Sequence, residues 1–385
     1  MQKRIAVFSF LLSLSLLVQA QKVTIRANVP NKSDVVFITG NQEELGQWKE
    51  DKVEMSKTSD FERTFEFVPN VFPVEFKFTK GSWKSEAEIV NKFDSDNLVV
   101  TEHNTDTLFT IFRWMSDSRL EELKSAKDYD YSDNRFISKF EYQKANHPDL
   151  VRVRTMFKLD SIAGNGSELS KVFNLLDWLH NTVSHNCCTA FSERNAINLI
   201  PKGKENGMNC RMLAIALNEC FLSLGIKSRY VTCMPKESVF MDCHVINMVY
   251  INDLNKWIWI DPSCGGYAMN EKGELLSIEE VRERLVNDKP VILNANASWR
   301  KGQLETTQHY FYEYMAKNLY RMESPVISEY NIESWKSGKR VMFVELLPLD
   351  GIEQEPQKTE VIGQSNGTIY VNYKTNNPNL FWTKP

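Results

Sequence analysis

Beyond residue 20 the sequence has no apolar run approaching the about 20 residues that cross a bilayer as a helix. It has no basic surplus either: 46 Lys and Arg stand against 50 Asp and Glu, a net charge of −4. A nucleic-acid binder carries clustered basic excess, so that class of partner is excluded. There is no C-x2-C pair, and the six histidines fall at no ligand-like spacing. A zinc site is therefore not expected, and nothing calls for a cofactor. Internal repeats and low-complexity tracts are missing as well. What remains is ordinary globular composition, 42% hydrophobic and 25% charged, over 385 residues, enough for two or three domains.

The first twenty residues stand apart. Lys3 and Arg4 make a short basic start, Ile5 to Val18 is apolar, and Val18-Gln19-Ala20 is a small-residue cleavage pattern. This predicts a signal peptide, too short to be a membrane span, removed between Ala20 and Gln21. The protein would then be secreted or periplasmic, with 44 basic against 50 acidic residues after the loss of Lys3 and Arg4. All seven cysteines (187, 188, 210, 220, 233, 243 and 264) lie in one window. Export permits pairing among some of them, and the odd count leaves at least one thiol outside any intramolecular pair.

Residues 21–114 read as strands. Val23, Ile25, Ala27 and Val29 alternate with polar residues, as do Phe65 and Phe67, then Val74, Phe76 and Phe78, with "DTLFTIFRW" closing at Trp114. Period-two alternation gives strands with one buried face, and several short antiparallel ones suggest a β-sandwich. Residues 115–150 are highly charged and read as a helical connector between domains. Residues 151–385 make the second domain. A helix is expected over 168–185, with Val172, Leu175, Leu176 and Leu179 on one stripe. A second begins at Cys210, with Asn209 as its N-cap and Gly225 as its stop. Strands follow at 244–251 and 256–261, flanking the turn "NDLN".

Cys210 would occupy the first turn of its helix, where free backbone N–H groups and the positive dipole end favour a thiolate. A cysteine nucleophile also needs a base and a group that orients the base. If the hairpin turn is centred between Asn252 and Asp253, His244 faces Asp261 directly and on the same side of the sheet. A slip of one residue would separate them. Cys220 reads as a core residue, and so does Cys233. Cys243 alternates to the face opposite His244 and reads as core or a disulfide partner. Trp257 and Trp259 share the His244 face, where they either wall a cleft or pack the core.

The segments "GMNCRMLAIALNECFLSLGIKSRYV", "CHVINMVY" and "KWIWIDPS" resemble the transglutaminase-like core of the papain-like superfamily, over about 165–270. The resemblance implies an α+β papain-like, transglutaminase-like cysteine-enzyme core in which Cys210, His244 and Asp261 act together in acyl transfer or hydrolysis at a carboxamide or peptide bond. It leaves open a cysteine protease or amidase without transferase activity, and a catalytically inactive binding protein. The glutamine that often stabilises the oxyanion in that family has no counterpart before Cys210; Asn209 and Asn206 are the side-chain candidates beside the Cys210 backbone N–H. Earlier in the chain, "VFITGNQEELGQWKEDKVEM" and "VEFKFTKGSWKSEAEIVNK" resemble a starch-binding module of carbohydrate-binding family 20. That resemblance implies an immunoglobulin-like β-sandwich over 21–114 with Trp48, Lys77, Trp83 and Asn91 facing an α-glucan or another polysaccharide; Lys92 stands where the family has Arg. The expected partners are thus a protein, peptide or other amide substrate and a polysaccharide.

Overall fold

The structure is a computed structural model. It describes residues 21–90, 97–115, 119–126, 128–134, 139–187, 189–236, 243–300, 303–349, 359–362 and 367–385. The expected signal peptide, Asn91, Lys92 and Cys188 lie outside the described residues. Two compact units meet in sequence at Trp114 and Met115. No helix among the described residues is long and apolar enough to cross a membrane.

The first unit is rich in strands. One sheet runs in the order Ser56–Lys57, Glu62–Phe67, Val23–Asn28, Asp106–Trp114, Ala87–Ile89; a second runs Phe37–Gly40, Val74–Thr79, Leu98–Val100. Alternation decides the faces: Val23, Ile25 and Ala27 are buried between half-exposed Thr24, Arg26 and Asn28. Their partners in a single core include Val74, Phe76 and Phe78 from the other sheet. The pairing is not all antiparallel as expected. Val23–Asn28 lies parallel to Asp106–Trp114, which only distant strands can do, since parallel neighbours need a long connection. Buried Trp114 donates its indole N–H to Asp34 at 2.9 Å and closes the unit.

The second unit is built on a nine-stranded sheet. Its central strands are Lys256–Asp261, His244–Ile251, Ser228–Met234 and Arg321–Pro325, all antiparallel. Every residue of His244–Ile251 is buried, so the strand reads as a continuous apolar run with both faces covered. Val245, Val249 and Ile251 enter a core shared with the helices Glu168–Thr182, Ala196–Asn206 and Cys210–Ser223. Ile246, Met248 and Tyr250 enter a second core with Trp257, Trp259, Tyr310 and Phe311. Trp257 and Trp259 are thus core residues and not cleft walls.

The stretch expected as a connector belongs to this unit. Leu123, on the helix Arg119–Ser125, is fully buried in the second core, and Phe140 and Tyr142 pack against it. Glu141–Tyr142 also pairs in parallel with Ile327–Ser328. Glu121 on that helix is exposed while Leu123 is buried, so a sparse apolar minority does the docking, which bulk composition conceals.

Candidate active site

Three elements converge. The helix Cys210–Ser223 starts where expected: Asn209 is extended, and its Oδ1 accepts the Met212 N–H at 3.0 Å. The helix stops at Gly225, whose φ of +80° no β-carbon favours. Its first turn is pinned by Arg211, which donates to Glu333 at 2.5 Å and to the Thr232 hydroxyl at 2.9 Å. Glu333 is buried and also accepts from Arg194 and Tyr230. Cys210 is left half-buried.

His244 is the first residue of its strand and Asp261 the last of the next. The turn is centred one residue later than expected, on Asp253 and Leu254 with Asn255 left-handed, so Asn247 faces Ile260 and Tyr250 faces Trp257. Every cross-strand partner moves by two residues. An even shift keeps the faces, so His244 and Asp261 become diagonal neighbours on one side, at a spacing long side chains bridge. The bridge is made: His244 Nε2 and Asp261 Oδ2 are 2.7 Å apart, both buried. Nδ1 is the ring nitrogen left for the Cys210 sulfur, which lies near enough to raise the His244 pKa.

Asp261 accepts three further bonds. The Tyr310 hydroxyl donates to Oδ2 at 2.5 Å, the Ser263 N–H to Oδ1 at 2.8 Å and the Cys264 thiol to Oδ2 at 3.5 Å. Tyr310 itself receives the Trp259 indole N–H at 3.3 Å. Burial alone would raise the Asp261 pKa, but the His244 charge and the bonds from His244, Tyr310 and Ser263 hold it at about 2. Burial alone would lower His244; Asp261 and then Cys210 push it up to about 10. Burial would raise Cys210 too, but hydrogen bonds from His185 and His244 bring it down to about 5. At neutral pH the favoured pair is a thiolate and an imidazolium braced by a carboxylate.

These charges are those of an activated thiol, and the chain segment that carries them has relatives. Residues 156–262 match the transglutaminase-like superfamily core. They form a transglutaminase-like domain. A solved structure of a candidate cysteine protease from Cytophaga hutchinsonii aligns with 32% of this chain and 46% of its own length, at 20% identity and a TM-score of 0.24. No curated protein matches the chain.

Within the transglutaminase-like domain the structure brings Cys210, His244 and Asp261 together. It does not bring Asn206 into play: that side chain is exposed and donates to the Lys202 carbonyl of its own helix at 3.0 Å. Asn209 spends its oxygen on the helix cap. Sequence reasoning missed His185, assigned to a helix over 168–185. That helix ends at Thr182, and Val183 is already extended. The apolar stripe stops at Leu179, which was the available signal. It also missed Trp299, whose ring centroid lies 5.3 Å from His185 and 5.7 Å from His244, and Tyr314, 5.3 Å from His244. Cys220 and Cys233 are buried free thiols, as expected of core residues. Among the described residues no group of three His, Cys, Asp or Glu side chains is arranged to hold a metal.

The residues expected to face a polysaccharide lie in the first unit. Lys77 sits between buried Phe76 and Phe78, and its amine pairs with Glu86 at 2.5 Å. Trp83 is 36% exposed. Trp48 is half-buried and follows Gly46 and Gln47, all three left-handed.

Proposed function

We propose that the second unit is a cysteine enzyme that transfers or hydrolyses acyl groups held in amide bonds, with Cys210 as nucleophile, His244 as acid and base, and Asp261 as orienter. The observation that carries this reading is the buried His244–Asp261 pair, 2.7 Å apart, beside a Cys210 thiol whose pKa the neighbouring imidazoles lower. The thiolate attacks the carbonyl carbon; a C–S bond forms and the π pair moves onto oxygen. The C–N bond then breaks as imidazolium gives its proton to the leaving amine, leaving a thioester. Neutral His244 next takes a proton from water or an amine, which attacks the thioester and frees the sulfur. A pure binding protein has no use for this pair, because burying charges costs more than an apolar contact returns.

The test is to trap the thioester with a tagged primary amine. Wild type is expected to label acyl-donor proteins and Cys210→Ala to label none; equal labelling overturns the reading. If water releases the acyl group while amines do not, the protein is a peptidase or amidase and not a transferase.

For the first unit we propose α-glucan binding, favoured by exposed Trp83 and by the left-handed backbone at Trp48, which bulky residues rarely adopt. Export by way of residues 1–20 would bring both units to polysaccharide-rich surroundings. Soluble glucan should retard wild type in an affinity gel and leave Trp83→Ala unretarded; unretarded wild type overturns the proposal.

A further inference from the structure

A thiolate that attacks an amide leaves negative charge on the carbonyl oxygen, and the second unit needs donors for it. The Cys210 backbone N–H is one, since a first-turn N–H has no intrahelical acceptor. Asn206 has given its amide N–H to the Lys202 carbonyl, and the Asn209 side chain is held at the helix start by its cap on the Met212 N–H. We infer that His185 is the side-chain donor that holds the oxyanion, an assignment that rests on the acyl-transfer reading of Cys210.

The backbone puts His185 there. After the helix Glu168–Thr182 ends, residues 184–186 run alongside Met208: the Met208 N–H donates to Ser184 O at 3.0 Å and the Asn186 N–H to Met208 O at 2.8 Å. His185 is thereby set beside the two residues that lead into Cys210. Gly207 makes the approach possible. Its φ is +72°, and a β-carbon there would lie 2.8 Å from the Asn186 Cβ and 3.0 Å from Ser184 O. The imidazole is half-buried, packs against Trp299 and lies near enough to the Cys210 sulfur to lower its pKa. His244 packs against the same indole, so the two imidazoles flank one wall and serve the sulfur separately. A donor that reaches the sulfur also reaches an oxygen two bonds away from it. On attack the Cys210 thiolate bonds to carbon, the displaced π pair settles on oxygen, and His185 N–H donates to that oxygen without giving up its proton. When the pair returns, C–N breaks and the amine leaves with the His244 proton.

Two reagents separate this role from any effect on the thiolate. Iodoacetamide reacts by displacement and forms no oxyanion; a p-nitrophenyl ester acylates Cys210 through one and needs no acid for its leaving group. Both are applied to the full chain, each at its high-pH plateau, with Cys210 followed by peptide mass spectrometry. His185→Ala is expected to keep alkylation within about threefold and to lose about 10²–10³ in acylation. His185→Gln, which restores an N–H donor, is expected to recover at least a tenfold part of that loss. Equal losses in both reactions, no loss in acylation, or no recovery with Gln overturns the assignment while leaving acyl transfer intact. A wild type that alkylates and never acylates overturns the acyl-transfer reading, and His185 with it.

Discussion

Replacing His244 with Ala tests the ion pair most directly. With the thiol at about 5, Cys210 at pH 6 is about nine-tenths thiolate; at its ordinary 9.0 it would be about one part in a thousand. A thiolate of higher pKa is intrinsically faster, by a Brønsted coefficient of about 0.45, which over four units returns a factor of about 60. The net loss of alkylation at pH 6 is then about fifteenfold, an upper bound because His185 still reaches the sulfur. The assay is the rate of iodoacetamide capture between pH 4 and 10, resolved at the Cys210 peptide so that exposed Cys187 does not contribute. The wild-type inflection should lie near 5 and the variant's should move up. Identical profiles would refute the idea that His244 holds the thiolate. The signs also fix turnover. Cys210, depressed, is deprotonated above about 5, and His244, raised, keeps its proton below about 10, so activity should plateau between these limits. The two limbs belong to the coupled pair.

Tyr310→Phe removes a donor at 2.5 Å from the Asp261 carboxylate and strands the Trp259 indole N–H; a urea titration should show a loss of about 1.5–3 kcal/mol, as for a bond to a charged group, and an unchanged midpoint would contradict this. Gly207→Ala forces the segment at 184–186 aside, so stability should fall by about 1–3 kcal/mol and ester acylation should fall more than alkylation; equal falls would mean that His185 had not moved. Residues 21–114 have their own core and should fold alone, with a strand-rich circular dichroism spectrum; an unfolded spectrum would place the boundary elsewhere.

Much of the site was readable because its residues sit at element boundaries, where sequence signals are sharpest. Asn209 announces the helix on which Cys210 stands, and largely apolar runs mark the strand that His244 opens and the one that Asp261 closes. The hairpin register was two residues off because "NDLN" is a four-residue loop, and nothing in its composition says where it centres. Parity rescued the conclusion: an even shift leaves side chains on their faces. His185 was hidden for a different reason. Its position depends on Gly207 admitting a neighbouring backbone, a tertiary contact with no local pattern. The docking of Leu123, Phe140 and Tyr142 was hidden by averaging, since Leu123 counts for more than the charges around it.

Tyr310 and Tyr314, which reach Asp261 and His244, both come from the segment Gln308–Met315, a π-helix. A π turn is what an α-helix becomes when it absorbs one inserted residue without disturbing its ends, and such turns concentrate at functional sites. Point mutation can change either tyrosine, and deleting a residue between them would bring them from four positions apart to three and change the angle between their side chains. The two tyrosines and the length of chain between them therefore act on the site as one unit, and a change in that length should disturb Asp261 and His244 together.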